Sequence, residues 1–301
     1  MGAYVKPLKL GIIGLSEGNG HPYSWSAIFN GYNRALMKNC PFPAIPDYLS
    51  NYNFPEDSIS EAEVTHIWTQ DKNISENIAE TTYIKNVLDS YDEMVGEVDG
   101  LLLARDDYHS HKEFASIFLQ SGIPVYIDKP LSVNEDRAKE LLAMRNFPSQ
   151  IFTGSALAFD PKIADLKKNI KSLGEIKFIF GSAPGSWDKY SIHLIDPLLS
   201  FLKADIQPQL INKFNFNSFV SVKYKLQENI MCNLQCLGGL ASPVRISIIG
   251  SKGFHEINFD DPFHAFRNAL KTFIVSIKSK QVIRSQKAIL ESIRMIQMGI
   301  D

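Results

Sequence analysis

The sequence predicts an α/β fold in two parts, and three observations carry that prediction. Strands and helices alternate through the first 150 residues, the order expected of a parallel sheet with helices on both faces. The strands there are short apolar runs bounded by turn residues, at 8–14, 98–104 and 124–127. From Ile176 the composition turns to β-branched and aromatic residues, in runs at 178–180, 218–226, 230–237 and 244–249, which predicts a second part rich in strands.

Taken in order, residues 8–14 form the first strand and run into Ser16-Glu17-Gly18-Asn19-Gly20-His21-Pro22, followed by a helical pattern from Tyr23 to Met37. Residues 40–61 carry Pro41, Pro43, Pro46 and Pro55 with no clean period and read as an inserted loop. A second strand is expected at 64–69, a helix at 73–84, and a helix opening at His111 with Phe114, Phe118 and Leu119 on one face. Residues 151–154 supply a sixth strand and the entry to the second domain, and 263–278 and 285–298 read as two closing helices. The domain division expected is 1–130 and 131–301.

Bulk properties narrow the function. A chain of 301 residues with 45% apolar side chains holds two domains or one large one, with ample core. The charge of −2, from 31 basic and 33 acidic side chains, gives no basic excess for nucleic acid. No apolar run approaches the ~20 residues that span a bilayer, so no membrane partner is expected. The start lacks the long apolar stretch of a signal peptide. Three cysteines, an odd and small number, fit a reducing cytoplasm without a disulfide framework.

The chemistry centres on Val125-Tyr126-Ile127-Asp128-Lys129-Pro130-Leu131. The proline stops the strand and leaves Asp128 and Lys129 at its carboxyl end, where open α/β sheets bind ligands. A lysine there can be partly desolvated, an environment that would let it handle protons near neutrality. The glycine loop is irregular. Starting at Gly14, the next two fingerprint positions are Ser16 and Asn19, while Gly18 and Gly20 fall slightly later. Backbone amides at the following helix N-terminus are expected to hold a pyrophosphate. The usual ribose acid is displaced: Thr69 takes its place, Asp71 is the remaining candidate, and Lys72 beside it would instead suit a 2′-phosphate, which leaves NAD and NADP both open. The acids of Asp106-Asp107-Tyr108-His109-Ser110-His111 read as caps of the next helix rather than metal ligands. Cys232 and Cys236 would share a strand face but lie too far apart for one zinc ion, so no metal is expected.

These features in this order resemble the glucose–fructose oxidoreductase / inositol dehydrogenase (Gfo/Idh/MocA) family over nearly the whole chain. That family's Glu-Lys-Pro motif is matched by Asp128-Lys129-Pro130, and the histidine of its preceding helix by His111. Its second segment, Asp-x-Gly-x-His-x-x-Asp, corresponds to Lys189-Tyr190-Ser191-Ile192-His193-Leu194-Ile195-Asp196. The resemblance implies an N-terminal Rossmann-type domain and a C-terminal α+β domain with an open, mostly antiparallel sheet through which copies self-associate. It implies NAD or NADP as cofactor, bound by Gly14, Ser16, Gly18, Asn19, Gly20, Asp71, Asp128 and Lys129, and often a cis peptide at Lys129–Pro130. The substrate implied is a small molecule: a sugar, sugar derivative or cyclitol. His193 would take the hydroxyl proton, and Lys129 would hydrogen-bond the same oxygen.

This chain departs from the motif at Lys189, where the family has an acid that pairs with the histidine. Asp188 is one place off and points about 100° away on a helix. Tyr190, about one turn before His193, is the substitute. Asp196 either orients the histidine or binds a sugar hydroxyl, Lys189 is placed at the substrate, and Trp187 and Tyr190 offer an aromatic wall to a sugar. The same fold also serves as a non-catalytic nucleotide or sugar sensor, or as a lyase or glycosidase that uses NAD transiently.

Overall fold

The computed structural model describes residues 6–202, 206–227 and 230–301. It divides into two units: one of residues up to Asp128 with Glu140–Thr153 and Ala269–Arg284, the other of Lys129–Lys139, Gly154–Asn268 and Ser285–Asp301. Neither unit is continuous in sequence, and packing is the reason. The last strand of the first sheet comes after residue 140, and Phe273, from a late helix, packs with Tyr126 and Phe152 of that sheet.

The first unit begins β1 (Leu8–Ile13), α1 (His21–Asn30), α2 (Arg34–Met37), α3 (Ala44–Leu49), β2 (Ala62–Trp68), α4 (Lys72–Thr82) and β3 (Asn86–Val87). It continues with β4 (Gly100–Leu103), α5 (His111–Gln120), β5 (Val125–Ile127), the end of α6 (Glu135–Ala143) from Glu140 onward, and β6 (Ile151–Thr153). The sheet order is β3-β2-β1-β4-β5-β6 with every pairing parallel. The central strands are buried on both faces, which is why they read as continuous apolar runs. Trp25 of α1 stacks on Tyr126 of β5 at 4.8 Å between ring centroids.

Two expectations for this unit need correction. The helix foreseen from Tyr23 to Met37 breaks after Asn30, because Gly31 takes φ +74° and Asn33 then caps a separate short helix. The segment foreseen as an inserted loop contains α3, whose Ile45 and Leu49 are buried. Proline at the start of a helix is tolerated, and this hid the element in the sequence.

The second unit runs through α7 (Pro161–Asn169), β7 (Ile176–Ala183), α8 (Trp187–Tyr190), α9 (Ile192–Phe201), β8 (Gln209–Phe216), β9 (Phe219–Gln227) and β10 (Ile230–Cys236). Then follow β11 (Val244–Gly250), β12 (Phe254–Phe259), α10 (Pro262–Ser279), which belongs to this unit only as far as Asn268, and α11 (Gln286–Ile300). The order β12-β11-β7-β10-β9-β8 is antiparallel except between β7 and β10. Strands β8 and β12 were not foreseen. They lie at the two edges, and β8 is exposed along nearly its whole length, so it lacks the apolar alternation that marks a half-buried strand.

One face of this sheet is core. Ile179, Val222, Tyr224, Leu234, Ile246 and Ile248 pack with Leu194, Ile195 and Leu198 of α9 and Met295 and Ile296 of α11. Cys232 and Cys236 lie in that core as free thiols, and burial pushes the Cys236 thiol up to about 12. The other face carries a row at one register: Phe254, Ile249, Phe178 and Met231, on four neighbouring strands, are 73%, 45%, 36% and 38% exposed.

Candidate functional site

In the first unit the chain leaves β1 through the glycine loop. A Cβ on Gly14 would sit 2.3 Å from Pro22 Cγ, and one on Gly20 about 2.5 Å from Ile45 Cδ1, so close packing demands both glycines. Gly18 is exposed at φ +76° with open space around it. The flanking side chains turn inward. Ser16 Oγ donates to Asp106 Oδ1 at 2.7 Å and accepts from Asp106 N at 3.1 Å. Asn19 Nδ2 donates to Asp128 Oδ2 at 2.8 Å, and His21 Nδ1 lies 2.6 Å from the same oxygen. Asp128 is buried, so it anchors this loop to the end of β5.

At the N-terminus of α1, where the sequence expects amides to hold a pyrophosphate, the first amides make internal bonds. His21 N–H is taken by Asn19 Oδ1 at 2.8 Å, Pro22 has no N–H, and the amides of Tyr23 and Ser24 return to the Gly20 carbonyl. Leu15 N–H donates to Gln70 Oε1 at 3.1 Å. The exposed tip, Glu17-Gly18, is the part of the loop that presents its backbone to solvent.

Asp71 is exposed at the start of α4, where its carboxylate accepts from Asn73 N at 2.8 Å and so caps the helix. Lys72 pairs with Asp89 at 2.6 Å. The acids after β4 do not cap α5, as the sequence suggested. Asp106 holds Ser16, and Asp107 takes both Nε and Nη2 of Arg105, at 2.9 and 2.8 Å. Burial alone would raise the Asp107 carboxyl; the Arg105 guanidinium overcomes it and holds the group below the ordinary carboxylate range. His111 is fully buried with Nε2 2.8 Å from the Arg105 carbonyl oxygen, a structural placement.

The second unit gathers three of the expected residues. Lys129 is only 7% exposed, and its peptide to Pro130 is cis, as expected. Its Nζ lies 5.9 Å from the centre of the Tyr190 ring, and that ring lies 5.7 Å from the His193 ring. Gly185, at φ +77°, makes room for Tyr190: a Cβ there would fall 2.1 Å from the ring.

Two expected substrate residues are placed elsewhere. Trp187 is core, 4% exposed, with Nε1 donating to the Ile296 carbonyl at 2.9 Å, so it offers no wall to a sugar. Asp196 is 2% exposed; it accepts from Ser155 N at 2.7 Å and from Ser292 Oγ at 2.6 Å. Lys189 is half-buried on α8. The sequence reading missed Ser155, whose Oγ is 2.9 Å from His193 Nδ1. The available signal was its place just past the carboxyl end of β6.

Among the described residues no group of three or more His, Cys, Asp or Glu is placed to hold a metal ion, and no helix is long and apolar enough to cross a membrane.

Comparison with known proteins adds to this geometry. The Gfo/Idh/MocA family model, described as an oxidoreductase family with an NAD-binding Rossmann fold, matches residues 44–152. A protein of Amycolatopsis mediterranei (strain S699) named "Putative UDP-kanosamine synthase oxidoreductase subunit" is 30% identical over 83 residues, which span 28% of this chain and 23% of that protein. Apo scyllo-inositol dehydrogenase from Lactobacillus casei superposes with a TM-score of 0.76 at 16% identity, covering 98% of this chain and 96% of that one. Myo-inositol 2-dehydrogenase from Lactobacillus plantarum gives 0.73 at 14% identity, covering 97% and 96%. The L. casei enzyme has also been solved with NAD(H) and scyllo-inositol bound. At these identities the structures establish a shared fold, and the family resemblance read from the sequence holds.

Proposed function

We propose that this chain, similar to the Gfo/Idh/MocA oxidoreductases, is a nicotinamide-dependent oxidoreductase acting on a hydroxyl or carbonyl of a sugar, sugar derivative or cyclitol. The observation that carries this reading is the grouping of Lys129, Tyr190 and His193 in the second unit. A bound nicotinamide would supply or accept the hydride. Lys129 holds the reacting oxygen and stabilises charge that develops on it, and His193 meets the same oxygen through its ring. Tyr190, 37% exposed, gives the substrate an aromatic face. The names of the relatives support a polyol or nucleotide-sugar substrate.

The exposed tip Glu17-Gly18 is where this chain would cradle a pyrophosphate. Asp71 keeps a carboxylate oxygen beyond its capping bond for ribose hydroxyls, and Asp89 already pairs with Lys72, so NAD is favoured over NADP. Titration calorimetry is expected to show NADH binding at micromolar affinity and NADPH more weakly. The commitment of the first α1 amides to internal bonds favours a second reading, a sensor without turnover. Failure of both nucleotides to bind would select it.

Self-association through the open sheet is part of the same reading. The row Phe254, Ile249, Phe178 and Met231 is suited to burial against a second copy. Sedimentation is expected to show a dimer or larger assembly that Ile249→Lys shifts towards monomer. A monomeric native chain at micromolar concentration would exclude it.

A further inference from the structure

We propose that Ser155 is a positioning residue that fixes neutral His193 as its Nε2–H tautomer, so that the ring presents a donor to the substrate oxygen. The functional meaning rests on the oxidoreductase reading; the tautomer itself does not.

The protons available at Ser155 set the polarity of its bond to His193. Ser155 is fully buried. Its hydroxyl has one proton to give and two lone pairs to fill. Leu157 N donates into one lone pair at 3.2 Å, the turn that opens the segment after β6. The hydroxyl proton then needs an acceptor, because an unpaired buried donor is costly. Among the described residues, the acceptor within reach is His193 Nδ1, at 2.9 Å. Ser155 cannot easily swing away: its own N–H is held by Asp196 Oδ2 at 2.7 Å, and Asp196 is fixed in turn by Ser292 Oγ at 2.6 Å. With Nδ1 accepting, the proton of the neutral imidazole resides on Nε2.

The polarity matters. A carboxylate beside Nδ1 only accepts; it would keep the proton on Nδ1 and leave Nε2 with a lone pair ready to take a hydroxyl proton. This chain has Lys189 where the motif places that acid, and a serine hydroxyl reaches the ring instead. On the oxidoreductase reading, neutral His193 would meet the substrate oxygen as a donor through Nε2–H. On this reading the ring offers a donor where the sequence expected a proton acceptor.

Long-range ¹H–¹⁵N correlation of the histidine-labelled full chain tests this, at a pH where the ring is neutral and with His193→Gln identifying the signal. The native spectrum is expected to show a pyrrole-type Nε2 and a pyridine-type Nδ1. Ser155→Ala is expected to give mixed tautomers, and Ser155→Thr, which keeps the hydroxyl, the native pattern. A native Nδ1–H tautomer, or one unchanged in Ser155→Ala, overturns the proposal. If the alanine variant does not fold, the native and threonine spectra still decide. Absence of nicotinamide binding would remove the oxidoreductase reading and leave the tautomer result standing.

Discussion

Replacing Lys129 by alanine is expected to lower kcat/KM by about 10²–10⁴, the range for losing a group that handles a proton or stabilises charge at the reacting atom. The side chain is 7% exposed and gathered with Tyr190 and His193, so water is a poor replacement for it. Lys129→Arg is expected to recover little. The guanidinium is planar and bulkier, whereas the proposed role needs a compact ammonium reaching the reacting oxygen. Steady-state rates with NADH and a panel of ketoses and inososes, compared with the native chain, are the measurement. Full turnover in Lys129→Ala would end the assignment.

Asp196→Ala is expected to cost roughly 2 kcal/mol of folding stability, the worth of a buried hydrogen bond to a charged group. Its carboxylate is 2% exposed and joins Ser155 of the segment after β6 to Ser292 of α11. On its loss the Ser292 hydroxyl can fall back on the Ala288 carbonyl at 3.2 Å, while the Ser155 amide is left without its partner. Asp196→Asn keeps an acceptor for that amide and should lose less. Urea unfolding of the three chains checks this, with the shift read in the midpoint at constant slope. Equal midpoints would show that Asp196 does not anchor the segment. Because Ser155 touches His193, a smaller loss of turnover should accompany the loss of stability.

Much of the first unit was legible because its strands are buried on both faces. Such strands need unbroken apolar runs, and the turns after them need glycine, serine, asparagine or proline, so the order of β1, β4 and β5 is written in residue types. Lys129 was legible for the same reason: a proline after a buried strand marks the strand's carboxyl end. Residues whose role depends on direction were less so. Trp187 and Tyr190 are three apart on one short helix, yet one enters the core and the other reaches solvent. Ser16 and Asn19 stand at the fingerprint positions, but acids at the ends of β4 and β5 draw their side chains inward.

By itself the sequence determined the two-part α/β architecture, the parallel order of the first domain and the identity of Lys129 and His193 as the residues to watch. These follow from local rules, namely periodicity, turn chemistry and short motifs. Tertiary structure alone decided that Ser155, 38 positions before His193, is its ring partner, and that the first amides of α1 are closed off internally. Both are pairings between hydrogen-bonding groups that folding brings together. A serine or an asparagine carries no mark in the sequence of which partner it will meet, because the energy of a hydrogen bond depends on a few tenths of an ångström that only the packed chain sets.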